Sequence, residues 1–268
     1  MRRPTEVPDV SDEAILPERT TMRFEAIGVW SAPIFTVLTA VGWLGLAHFI
    51  APAKGSLTAA QYAAWFTHQH RAGVLIGCSI FLLSTCFLGL WTAEFGVMLW
   101  RMDRRAPVMS ITQILMGVSI VVIVVINSSL WLAAAYRVGA SGDTVRALND
   151  TAWMGFLIAW PLLSLQMLAG AVVCLHDRRA QPLIPRWLCW ASIGGAVLLF
   201  TAGGAAFAQH GAFSFAGALG FYFPVAIWGI WLDTTAFFMR RELKRRRKLA
   251  PAPAATPSFV REEIAIGA

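Results

Sequence analysis

The sequence predicts an all-α polytopic membrane protein, a bundle of six transmembrane helices with both termini on the cytoplasmic side. Three observations carry that expectation. Of 268 residues, 57% are hydrophobic and only 14% charged, where a soluble domain carries about 45–50% apolar and about 25% charged residues. Apolar runs of crossing length, about 20 residues, occur six times. Lys and Arg fall almost wholly into alternate loops. The same composition excludes a disordered chain, a collagen-like repeat and a small disulfide scaffold.

The first 26 residues form a polar N-terminal segment with six acidic side chains and no pattern of a cleavable signal. Six spans follow, at Ile27–Ile50, Ala72–Leu99, Met109–Tyr136, Thr151–Leu175, Trp187–Ala208 and Phe215–Met239. Together they make a transmembrane domain over 27–239. The loop after span one carries Ser56–Phe66, which reads as a short amphipathic interfacial helix capped by Ser56 or Thr58. Span two opens with Gly73 and Gly77 at GxxxG spacing. Pro161 in span four and Pro224 in span six are expected either to break helix hydrogen bonding and open space for a ligand or to be tolerated kinks with no ligand. Residues 240–268 form a tail that is basic first and Ala/Pro-rich afterwards.

Orientation follows from the basic residues. Of 22 Lys and Arg, eighteen lie at the ends and loops that share a side with the termini, and Lys54, Arg71, Arg137 and Arg146 lie opposite. The rule that cytoplasmic loops carry the positive charge puts both termini in the cytoplasm of a bacterial inner membrane. Nucleic acid is not an expected partner, because the net charge of +7 is spread between spans and along the ends. Arg240, Arg241, Lys244, Arg245, Arg246, Arg247 and Lys248 continue span six and are expected to contact anionic lipid headgroups.

Ionisable residues inside spans are functional candidates by default, because lipid makes them costly. Glu94 and Asp233 qualify, and each is followed seven residues later by an arginine, Arg101 and Arg240. Two expectations stand side by side. The acids pair with those arginines, or they line a ligand pocket in the cytoplasmic half with Gln166, Trp91 and Trp231. Gln166 and Asn127 are the deepest amides; side chains of this kind hold helices together, and these two are the first to mutate if a central cavity exists. Trp43, Trp160, Trp228 and Trp231 lie well inside the spans, where they pack against neighbours or line an apolar pocket.

Cys78, Cys86, Cys174 and Cys189 fall in apolar stretches and read as small buried hydrophobes. No metal site is expected. The alternative is haem or metal held on the outer side by His48, His68, His70 and His210, with His176 alone inside. His68 and His70 would point about 200° apart on a helix and cannot easily share one ion. No phosphate loop or nucleophile elbow occurs, so no catalytic residue is assigned and the chain does not read as an enzyme.

Three stretches carry a resemblance: Ser56–Phe66, Leu148-Asn149-Asp150 leading into Trp153, and Asp177-Arg178-Arg179 followed by Pro185-Arg186-Trp187. With them the chain resembles a group of uncharacterised bacterial six-span integral membrane proteins over roughly residues 27–240. The resemblance implies a six-helix inner-membrane fold and brings no activity or site residues with it. The leading functional expectation is a protein that binds or helps transport a hydrophobic small molecule or lipid. A haem-binding redox protein and a non-catalytic subunit docking a membrane partner are the alternatives.

Overall fold

The computed structural model describes residues 18–103 and 107–249, and within them six helices are long and apolar enough to cross a membrane. The spans are Thr20–Leu46, Arg71–Met102, Val108–Tyr136, Gly142–Leu175, Arg186–Ala206 and Ala218–Leu249. No strand occurs among the described residues, so the all-α class holds. Residues 1–17, residues 104–106 with Arg104 and Arg105, and the tail from 250 lie outside the described residues.

Several crossings are not uniform α-helix. α1 (Glu18–Leu38) passes into wide π turns over Thr39–Leu46, and α2 (Ala59–Ala64) does the same over Trp65–Gln69. α3 (Arg71–Met102) and α4 (Val108–Tyr136) are continuous. α5 (Gly142–Ile158) and α6 (Trp160–Leu175) form one crossing interrupted at Ala159. Pro161 sits directly after the interruption, where its missing N–H and fixed φ favour a helix start. α7 (Arg186–Leu198) tightens into 3-10 turns over Leu199–Ala206, and α8 (Phe223–Leu249) follows a π turn over Ala218–Tyr222.

Two helix starts lie earlier than the apolar pattern suggests. α1 begins at Glu18, not Ile27, and α5 begins at Gly142, not Thr151. Hydropathy sees only the apolar part of a helix, whereas caps set its true end. Here the Ser141 hydroxyl accepts the Thr144 N–H and starts α5. Asn149 and Asp150 therefore belong to the helix.

α3 packs against both α1 and α4, α6 against α4 and α7, and α8 against α1. The Gly73/Gly77 pair permits the first of these. A Cβ on Gly77 would strike the Gly42 carbonyl oxygen and stand 2.5 Å from the Ala47 nitrogen, and one on Gly73 would strike the Leu46 carbonyl. The GxxxG spacing thus brings α3 against the π turns of α1.

Thr58, not Ser56, caps α2. Its hydroxyl accepts from the Gln61 N–H while the Gln61 side chain accepts from the Thr58 N–H at 2.8 Å, a complete capping box. The segment is amphipathic, yet its apolar face lies on protein. Tyr62, Trp65 and Phe66 are buried, α2 packs on α5, and the Tyr62 hydroxyl donates to the Lys54 carbonyl at 2.9 Å. All four cysteines are free, and Cys78, Cys174 and Cys189 are buried.

Candidate functional site

The face bearing the chain ends is held by arginines and carboxylates. Glu25, 4% exposed, receives Arg101 from α3 and Arg246 from α8, the latter at 2.8 Å. Glu242 receives Arg179 at 3.1 Å and Arg245 at 2.7 Å. Asp177, just past α6, binds Arg179 at 2.7 Å and accepts the Leu183 N–H at 2.9 Å. Burial works against the Asp177 charge. The hydrogen bonds from Arg179 and the Leu183 backbone more than offset it, holding the carboxyl below its ordinary value.

Neither ion pair expected from the seven-residue spacing forms. Arg101 goes to Glu25, and the Arg240 guanidinium stands 4.8 Å over the Trp30 ring. Seven residues rise about 10 Å along a helix, while other partners stand nearer on the neighbouring helices. Sequence reasoning missed Glu25 and Glu242 because it ended the spans at Ile27 and Met239. The signal was present: a carboxylate within one turn of a span end, facing an arginine-rich end, is a docking point.

The five residues expected to line one pocket are distributed among separate contacts. Trp91 and Trp231 meet edge to face at 5.5 Å, with Phe95 stacked on Trp91. Glu94 packs on Gly28, where a Cβ would lie 2.5 Å from its own. Asp233 lies against Thr36 of α1. Gln166 meets Thr92 across Gly117, the glycine that lets these side chains into the middle of α4. Glu94 Oε1, Asp233 Oδ1, and both polar atoms of Gln166 are buried without a hydrogen-bond partner among the described residues. The four cavities described below are lined by other residues.

One turn away from Gln166 the bundle holds a narrow apolar cavity of about 70 Å³. Leu163 precedes Gln166 by three residues and Trp228 precedes Trp231 by three, and both are in its wall. On α4 its wall includes Ile120 and Val124, and Asn127 begins the next turn. The cavity therefore lies between the two deepest amides, Gln166 and Asn127. Phe35, Phe81 and Phe156 line it with Trp43, Trp160 and Trp228. The indole nitrogens of Trp43 and Trp228 are buried and unpartnered among the described residues. Three of the four deep tryptophans thus border one space.

The irregular backbone converges there. Thr39 and Trp43 come from the π turns of α1, Ala159 and Trp160 from the α5–α6 break, Ala202 from the 3-10 turns after α7, and Pro224 from the start of α8. Departures from the α-helix expose backbone groups, so within a membrane they persist only where protein or a cavity surrounds them. Four crossings that loosen at one depth define a site.

At the opposite end, His48 and His70 come together, with ring centroids 4.3 Å apart, and Trp65 lies 4.6 Å from His70. His48 adopts φ of 59°, a left-handed conformation rare for a non-glycine residue. Imidazoles in contact leave no room between them for an iron and its porphyrin. His68 and His210 are exposed, and among the described residues no group of three or more His, Cys, Asp or Glu could hold a metal. Two wider cavities of about 710 and 690 Å³ open at the arginine face, flanking the loop that follows Asp177. A shallow third one lies along α5 and α6 near Met154 and Pro161.

The geometry defines a membrane protein of six spans with an aromatic-lined cavity among them. No family model, curated protein or solved structure matches the chain.

Proposed function

We propose that this is a multi-pass protein of a bacterial inner membrane, with both termini cytoplasmic, that binds or helps move a small hydrophobic molecule through the central cavity. It would stand with the uncharacterised six-span membrane proteins that it resembles. The observation that carries this reading is the meeting of four broken helices around one apolar space. Apolar walls suit a hydrophobic ligand. About 70 Å³ of such space is several times what one water needs and about half of a cavity that takes benzene, which fits a molecule smaller than an aromatic ring. The cytoplasmic placement of the termini rests on the eighteen basic residues on that side.

Filling the cavity tests the reading. Ala202→Leu places a larger apolar side chain in its wall. The protein in detergent is expected to change its tryptophan emission under xenon, a small apolar probe, and Ala202→Leu is expected to abolish the change while keeping its melting temperature. An unaltered response in the variant would remove the cavity from consideration.

A further inference from the structure

The basic run at the end of α8 reads in sequence as one patch, but the structure divides it by helix face. Arg245 is taken by Glu242, Arg246 by Glu25, and Arg247 donates to the Met22 carbonyl at 3.2 Å. Arg241, Lys244 and Lys248 have no ion-pair partner among the described residues and are exposed. Spacings of three, four and seven residues put these three on one side of the helix.

That side forms one wall of the groove of about 690 Å³, together with Arg240, Trp30, Phe237 and Phe238. The groove is therefore basic at its outer end and aromatic one to two turns deeper into the span. Its one carboxylate, Glu242, is already neutralised by Arg179 and Arg245. Trp30 and Phe237 are each more than half exposed, and Trp30 is fixed in place under the Arg240 guanidinium.

We propose that this groove binds one anionic phospholipid, its phosphate held by Arg241, Lys244 and Lys248 and the upper part of its acyl chain laid on Trp30 and Phe237. The aromatic floor selects a lipid over a soluble anion, since free phosphate has no apolar part to place there. A basic pocket beside a span recognises anionic headgroups, and tryptophan sits at headgroup depth. The site is independent of the central cavity.

Native mass spectrometry of the full chain in detergent, with equimolar phosphatidylglycerol and phosphatidylcholine added, tests it. One retained phosphatidylglycerol is expected per chain. Each basic residue near an anionic surface is worth about fivefold in binding, so Arg241→Gln with Lys244→Gln and Lys248→Gln should weaken retention by about a hundredfold. Trp30→Ala, which keeps the side-chain charges, should weaken it by a smaller factor. Removing equal charge from the other face, with Lys54→Gln, Arg137→Gln and Arg146→Gln, should leave retention unchanged. Equal retention by the groove triple variant, an equal loss in the opposite-face variant, or full competition by inorganic phosphate would each overturn the proposal.

Discussion

At the face bearing the termini, Glu25 lies between Arg101 and Arg246 and Glu242 between Arg179 and Arg245. At the other end, Trp43 is packed against Phe49, Phe81, Trp131, Trp153, Phe156 and Phe221, with ring centroids 4.9 to 6.0 Å apart. Both ends join helices distant in sequence. The ionic end does so with long side chains that are partly in water, as Arg101 and Arg179 remain 37% and 41% exposed. The aromatic end does so with rings shut away from water. Flexible, solvated pairs can find other partners when one is lost, whereas a missing ring leaves a hole. The two ends should therefore fail to different perturbations.

The largest effect is expected at the aromatic end. Trp43→Ala removes a side chain that is 1% exposed and in contact with six rings, and large-to-small changes of this kind cost about 3–5 kcal/mol. It also enlarges the central cavity, because Trp43 is part of its wall. Chemical unfolding in detergent should show the loss at low and high salt alike. A strong salt dependence would mean that the rings are not what holds this end.

Glu25→Gln comes next, at about 2 kcal/mol. Breaking a buried pair costs about 3–5 kcal/mol because it strands a charge, but both arginines here can turn toward water, which reduces the cost. Unlike the Trp43 effect, this one should shrink as salt rises, since salt screens the pairs being lost. A salt-independent loss would place Glu25 with the packed core.

How much of this could be read beforehand depends on which physics set each feature. The six crossings were legible because lipid imposes length and hydropathy on the chain itself. The Thr58 cap and the Gly73/Gly77 approach were legible because both are local patterns. The pairing of Glu25 was not, because a hydropathy boundary at Ile27 discarded the residue that α3 and α8 grip. Gln166 and Asn127 read from the sequence only as the deepest amides; of Trp43, Trp160, Trp228 and Trp231, which read as packing against neighbours or lining a pocket, the first three line the cavity. What no local pattern carries is the depth at which α1, the α5–α6 break, the turns after α7 and the start of α8 all loosen together. That coincidence is set by packing of α1 against helices more than a hundred residues further along the chain.

Acid should also separate the two ends. Asp177 is held below its ordinary value by Arg179 and the Leu183 N–H, against the opposing effect of burial. A depressed carboxylate contributes stability that is complete above the unfolded value of about 3.9 and is lost as pH falls through the folded value. The arginine end should thus be indifferent to pH from neutrality down to about 4. Asp177→Asn should reduce the loss seen below that point, as read from melting temperatures, with Glu242, which shares Arg179, keeping its part. An unchanged acid limb would assign it to other carboxylates.

The smallest effect belongs to the histidine pair, and it lies in a different pH window. Burial lowers the pKa of His70 below its ordinary 6.5, and the adjacent His48 ring lowers it further. The folded protein therefore takes up the His70 proton less readily than the unfolded chain does. Stability is complete above 6.5, declines as pH drops through that value toward the folded one, and declines no further once both states are protonated. Because His70 is the N-cap of α3, and the junction also holds the left-handed His48, charge there presses on the turn joining α1, α2 and α3. Melting temperatures at about pH 7.5 and about pH 5.5 isolate this window from Asp177. His70→Gln should flatten the difference, since glutamine cannot charge. His48→Gln should reduce it by removing the like-charged neighbour while leaving the burial of His70. If His70→Gln melts with the same pH dependence as the unaltered protein, the opposite face owes its acid response to some other group.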